Sequence, residues 1–505
     1  MGALDAARYD RRPRAIGSGV RLFFFWTGGR WGMGRGVQAA AWGLACWLVY
    51  GANGRSIGAG DVVPASYLAV ALVRGDGVVL DRYDRQLRGE DGRLPGYLDQ
   101  RRGHLVSRYP IGPAVLAAPL AAPLVWWLDR VEPGWDQRAD RAAVRRRMEW
   151  IGKTTASALT AAAVGVLAVV LGRLGYRGGA VGAAVAAAAW GTGYWPVASQ
   201  ALWQHGPAVL CLTVAVLGLS GGAVRAGEAR PVEAAGEMAA GCGSRPVVLP
   251  PVGLGAAAWA GAATAWMVVC RTVDAVLAAV IALWVLRHLG RPARWAFFVP
   301  AITIGGLWAA YNIWFFDTLI GGYAAIERMH PWAHGTRGTF SGSLLGGGLG
   351  TLVSPSHGLL VYSPWVLVAA VGMVSGSVRR RLFMEGGGLT GWLMVGLVPL
   401  FGLLATYSCW WGGHCFGARF WIDATPVLAI ALAAVWERMG GVVGRWTVGV
   451  LIGWSVGVHA VGFACYPSTW HSQPTNVDRD HRRLWDWRDN EVTRGVREGI
   501  RPRMW

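Results

Sequence analysis

Lysine is nearly missing from this sequence: among its 48 basic residues in 505, Lys153 is the only lysine. Such a bias, with so much Ala and Gly, reflects base composition as readily as function, so arginine abundance carries no argument here, whereas arginine position does. Charge is scarce as well, at 15% against about 25% in soluble domains. That deficit excludes an ordinary water-soluble protein. The net charge of +19 is not gathered into a compact soluble basic domain, which excludes nucleic-acid binding. The seven cysteines show no metal-type spacing. Cys46, Cys211 and Cys270 fall inside apolar stretches and read as packing residues. Cys409 and Cys415 flank "WWGGH" and read equally as a disulfide or as two free thiols. No cleavable signal peptide is evident, since the basic region before the first apolar stretch is long and no small-x-small site follows, so the first span reads as a signal anchor. No internal repeat appears. "GGGLGTLV" at 346–353 lacks the lysine and the strand–helix context of a phosphate loop and is predicted to be a membrane-surface turn.

What is abundant is apolar sequence: 53% of residues are hydrophobic and 30 are Trp. Stretches of near-spanning length predict an all-α integral membrane bundle of about eleven transmembrane helices. They lie near 36–52, 150–171, 178–198, 206–220, 252–270, 273–288, 295–312, 358–377, 388–406, 424–439 and 446–464. The stretch 110–128 is interrupted by Pro110, Pro113, Pro119 and Pro123 and is predicted to be re-entrant or interfacial. Orientation follows from the short loops. With a basic cytoplasmic N-terminus (1–35), the other inside loops hold Arg173 and Arg177; Arg225, Arg230 and Arg245; Arg287, Arg291 and Arg294; Arg379, Arg380 and Arg381; and Arg438 and Arg445. Every inside loop is basic, as the positive-inside rule requires. The membrane domain spans 36–464, with a long first extracytoplasmic loop (53–149), a flexible cytoplasmic linker (221–251) and an extracytoplasmic loop at 313–357. An odd number of spans leaves the tail 465–505 outside.

On this topology the unusual polar motifs share one side. They are Asp61, "GHLVSRYPIGP", "SQALWQHGP", "YNIWFFDTLIGGY", "SPSHGLLVYSP" and "YSCWWGGHCFGARFW". This pattern suits an extracytoplasmic site facing a lipid-borne ligand. Sugar transfer from a polyprenyl-phosphate carrier needs a base for the acceptor hydroxyl, which a carboxylate supplies. The departing phosphate needs Arg or similar donors. No metal and no cofactor is expected, because Arg can balance a monophosphate leaving group.

The stretches "GDVVPASYLAVALVRGDGVVLDRYD", "SRYPIGPAVLAAPL", "ASQALWQHGP", "YNIWFFDTLIGGY", "SPSHGLLVYSPWVL" and "WWGGHCFGARFWIDATPVL" run in order from the first span to the tenth. Together they resemble the bacterial polytopic proteins of the GT-C glycosyltransferase superfamily, relatives of the protein mannosyltransferases and of the aminoarabinose transferases that modify lipid A. The resemblance implies a transferase of the cell envelope, in the bacterial cytoplasmic (inner) membrane. Its donor is a polyprenyl-phosphate-linked sugar and its acceptor a glycan, lipid or protein. It also implies a catalytic Asp just after the first span, the position of Asp61. The family's Lys-Pro-Pro or Tyr-Pro-Pro stretch near the carrier phosphate reads "SRYPIGP" here, which carries that role to Arg108 and Tyr109, with Ile111 replacing the second proline. The acid found in some relatives' second outside loop is replaced by Gln204 and His205. The Asp-Glu pair of the protein mannosyltransferases is absent, since Val62 follows Asp61.

Each candidate has a plainer reading. Asp61 precedes a predicted helix, 62–74, whose Tyr67, Leu68, Ala71 and Leu72 share a face, so it is a good N-cap. Arg108 and Tyr109 suit a headgroup anchor and an aromatic belt. Arg271 and Asp274, three apart, read as a structural pair. Weighed together, Asp61 is the expected base, and Arg108, Tyr109 and Arg419 are expected at the donor phosphate. Trp203, His205, Trp411 and His414 are expected at the sugar or acceptor. The rival reading, a transporter or flippase of a lipid-linked or anionic solute, lacks the repeated halves usual in transporters. An inactive scaffold for envelope assembly is a third.

Overall fold

The computed structural model describes residues 34–221, 252–329, 338–384, 388–466 and 469–501. Most of the basic N-terminus and nearly all of the linker 221–251 lie outside them, as do residues 330–337 of the loop 313–357. The described chain is mostly helical, and six helices are long and apolar enough to cross a membrane. They are Gly112–Val131, Arg141–Arg173, Arg291–Phe316, Leu389–Thr406, Arg419–Arg438 and Val442–Cys465. Shorter apolar helices include Arg35–Gly51, Gly178–Trp190, His205–Leu219 and Leu254–Cys270. Apolar side chains face outward in quantity: only 11% of the most apolar window of Arg291–Phe316 is buried, and Trp259, Leu307, Leu345 and Val443 are exposed. Water would penalise such a surface, whereas lipid tails accept it.

Small residues let the helices approach. Arg141–Arg173 is the central rod, started by Asp140, whose carboxylate accepts from the Ala142 and Ala143 amides. Arg35–Gly51 lies against it where Gly165 meets the Ala39 carbonyl. Leu254–Cys270 meets Arg291–Phe316 at Gly261, whose missing Cβ would sit 1.9 Å from the Phe297 carbonyl oxygen.

Two predicted elements differ. Residues 346–353 are not a turn but part of the helix Leu344–Val353. Their glycines serve packing, since a Cβ on Gly347 would lie 2.0 Å from the Ala405 carbonyl oxygen. The predicted span 358–377 is divided into Leu359–Tyr362 and Trp365–Gly372, because Pro364 lacks the N–H to continue the first helix. The proline-rich stretch forms one continuous helix, Gly112–Val131. Pro119 and Pro123 are four apart, so both lie on one face and their lost hydrogen bonds fall in one row. This helix packs with Val63–Arg74 and the first turns of Arg141–Arg173 around Tyr67, Leu68, Ala117, Val125 and Met148. A two-stranded hairpin, Leu98–Arg101 with His104–Ser107, completes this layer. Its turn uses positive φ at Arg102 and Gly103.

Contacts segregate the loops to two ends. At one end Ile57 donates its amide to the Gln200 carbonyl, and Arg55 bonds the Ala464 carbonyl. There too Gly322 packs on Arg108, and Ser354 donates to the Leu484 carbonyl. At the other end the predicted inside arginines meet: Arg381 bonds the Leu174 carbonyl, Arg438 bonds the Ser377 carbonyl, and Glu437 accepts from the Arg177 amide. The lone lysine is structural. Lys153 is buried and donates to the Tyr50 carbonyl at 2.7 Å, to Asn53 Oδ1 at 3.3 Å and to Gln200 Oε1. It thereby satisfies the carboxyl end of the first helix, where a cation is favoured.

Candidate functional site

Asp61 lies in a single helical turn, Gly60–Val62, between the first helix and Val63–Arg74. It makes no capping bond; Val62 holds the cap position and Pro64 the first turn. Its carboxylate turns instead to Arg419, with Nη1 3.1 Å from Oδ2. The other oxygen, Oδ1, is buried without a hydrogen-bond partner. Burial raises the Asp61 pKa above its ordinary 3.8, although the Arg419 charge and bond, and the amides of residues 61 and 62, pull the other way.

Arg419 opens the turn Arg419–Ala424 after "WWGGH". Its guanidinium lies 4.7 Å from the Trp203 ring centre and 5.5 Å from that of Phe420. Its Nε is buried and unpartnered. Trp203 is itself fixed, donating Nε1 to the Ile57 carbonyl at 3.1 Å. Tyr109 is close enough to Asp61 and Arg419 to feel both charges, and its ring meets Tyr323 edge-on at 6.1 Å. Tyr323 donates its hydroxyl to Gln204 at 2.8 Å. Beside this group a cleft is lined by Arg108, Tyr109, Thr272, Tyr311, Asn312 and Tyr323, among others. The Thr272 and Tyr311 hydroxyls are buried without partners.

The predicted residues therefore divide. Asp61, Tyr109, Trp203 and Arg419 come together, although they derive from four separate parts of the chain. Arg108 lines the adjacent cleft, but its Nε lies 3.4 Å from Asp99 Oδ2 and it donates to the Gly96 carbonyl at 3.1 Å. His205 lies one layer behind: its Nδ1 is 3.0 Å from Asp423 Oδ2, which also accepts from Arg271. Arg271 pairs in turn with Asp274 at 3.5 Å, the expected structural pair enlarged into a buried network. Trp411 and His414 are occupied elsewhere. Each bonds Asp478 of the tail at 3.0 Å. The Asp478 hydrogen bond is the main cause of a raised His414 pKa. Cys409 and Cys415 are not joined in a disulfide, and Cys46, Cys211 and Cys270 are buried as expected of packing residues.

Sequence reasoning missed Asp423, Asp478, Tyr323 and Glu491. Asp423 had a signal, since it is an acid inside the apolar motif "WIDATP". Asp478 and Glu491 stand in a polar tail where acids are ordinary, so nothing local marks them. No known family, curated protein or solved structure matches the chain.

Proposed function

We propose that this chain is an integral membrane glycosyltransferase of GT-C type. It transfers a sugar from a polyprenyl-phosphate carrier to an acceptor hydroxyl of the cell envelope. The bundle has about eleven spans in the bacterial cytoplasmic membrane, with the N-terminus inside and the tail outside. The observation that carries this reading is the half-buried carboxylate of Asp61, which has one oxygen held by Arg419 and the other, Oδ1, buried and unpartnered. A buried carboxylate oxygen is ordinarily hydrogen-bonded, and one left unpartnered offers the free lone pair that a base needs for its substrate's proton.

In this mechanism Asp61 Oδ1 accepts the acceptor's hydroxyl proton as the acceptor's hydroxyl oxygen bonds the sugar's anomeric carbon. The bond from that carbon to the phosphate oxygen breaks, and the electron pair leaves with the carrier phosphate. The unpartnered Arg419 Nε and the Tyr109 hydroxyl are the donors that meet the growing phosphate charge. The unpartnered Tyr311 and Thr272 hydroxyls beside this group are the polar groups offered to the sugar once the narrow cleft opens. Arg108, engaged by Asp99 and Gly96, orients the "SRYPIGP" segment.

Membranes containing the chain, supplied with radiolabelled polyprenyl-phosphate sugars and a glycan-bearing envelope extract, test the reading. Label should pass to the extract with the wild-type chain and not with Asp61→Asn. Failure to consume any hexose or pentose donor overturns it.

A further inference from the structure

The tail brings three buried side chains to one point. His357 comes from "SPSHG", His471 from the turn Thr469–His471, and Glu491 from the start of the helix Glu491–Glu498. They are 2%, 3% and 1% exposed. One donor atom from each lies within 4.8 Å of the other two.

These donors are not explained by hydrogen bonding. Neither ring nitrogen of His357 has a partner. The Cys415 backbone lies beside the ring but outside hydrogen-bond geometry. His471 Nε2 is 2.8 Å from Glu491 Oε1, yet neither atom is aligned as donor or acceptor. His357 Nε2 is 3.9 Å from the same oxygen. Two ligands of a tetrahedral ion with bonds of about 2.0–2.1 Å stand about 3.3 Å apart, between these two distances. The second oxygen of Glu491 is engaged, accepting from the Gly417 amide at 2.7 Å and the Tyr362 hydroxyl at 3.1 Å. That arrangement orients Oε1 as outer-shell bonds orient a metal ligand. Among the described residues, Glu491 is within ion-pair distance of no Arg or Lys, only of these two histidines. A fully buried carboxylate without a cation is costly.

We propose that His357, His471 and Glu491 bind a divalent transition-metal ion of the zinc class, which clasps the C-terminal tail to the end of the bundle. Two imidazoles and one carboxylate suit zinc, and water completes the fourth position. The ion joins the tail to "SPSHG" and, through Glu491, to Gly417 of the loop that carries Arg419. This inference is independent of the sugar-transfer reading.

The test uses the full chain in nanodiscs, purified without a polyhistidine tag. After exposure to zinc and desalting, mass spectrometry should find about one zinc per wild-type chain. His357→Ala and Glu491→Gln should retain less than about a fifth of that. In chelator-treated wild type, added zinc should raise the Tm, and cobalt should give the visible absorption of a low-symmetry site. If a variant fails to fold, the wild-type titrations decide. The proposal is overturned if wild type retains no zinc and shows no zinc-dependent Tm, or if the folded variants retain as much zinc as wild type.

Discussion

Replacing Asp61 by Asn separates the carboxylate's chemistry from its place in the structure. The amide oxygen can still accept from Arg419 Nη1, now 3.1 Å from Oδ2. The amide nitrogen falls where Oδ1 has no partner, so no existing bond is lost there. One charged bond becomes a neutral one, a cost of about 1–2 kcal/mol. Against this stands the burial of Asp61, which disfavours its charge. The sign follows from linkage: a carboxyl whose folded pKa lies above its unfolded value costs stability once ionised, at pH above that range. A neutral amide removes this cost at neutral pH. The two effects oppose, so the net stability change should stay within about 2 kcal/mol in either direction. Turnover has no such compensation and should fall by about 100- to 10,000-fold, the range for loss of a general base. Because the base must be ionised, wild-type activity should rise with pH through a midpoint above 3.8, and the residual activity of the variant should lack that limb. The assay is complementation of a deletion strain, with envelope glycans read by mass spectrometry and abundance and Tm measured on the same preparations. Wild-type glycan levels with Asp61→Asn at equal abundance would refute the reasoning and leave Asp61 only as the partner of Arg419.

Arg419→Lys should weaken use of the lipid donor by about ten- to a hundred-fold, the loss of one charged bond to phosphate. Arg108→Ala should cost no more than about tenfold, because Asp99 and Gly96 already engage its guanidinium. The reverse order in donor titrations would move the phosphate to Arg108. Reporter fusions at 225–245 and 379–385 should read as cytoplasmic and fusions at 480–500 as outside; a cytoplasmic tail would contradict the proposed orientation. Gly261→Val should sharply lower the yield of folded protein, since its Cβ would meet the Phe297 carbonyl. Gly305→Ala, with nothing within 4 Å, should not; equal yields in detergent gel filtration would contradict this helix crossing.

The helices were legible because each carries its own signal. An apolar run must satisfy its backbone internally, so its length and boundaries are written locally. The predicted stretches 150–171, 388–406 and 446–464 fall within or close to Arg141–Arg173, Leu389–Thr406 and Val442–Cys465. Three of the loops marked by arginine, those of Arg177, Arg381 and Arg438, meet one another. The glycines of 346–353 misled because composition does not say whether a glycine serves a turn or a close helix contact. Only the neighbour does, here the Ala405 carbonyl.

The candidate site was legible as a set of residues and not as an arrangement. Sequence by itself determined that the chain is a helical, strongly apolar protein whose apolar stretches are punctuated by unusual polar motifs, with Asp61 just beyond the first long helix. Tertiary structure alone decided which of those groups meet. It joined Asp61 to Arg419 rather than to a helix terminus, and withdrew Trp411 and His414 to Asp478. It also gathered His357, His471 and Glu491 at one buried point. Hydrophobic periodicity is a property of neighbours along the chain, so the sequence displays it. An ion pair or a ligand cluster depends on separations of a few ångströms between segments hundreds of residues apart, and only packing of the whole bundle sets those.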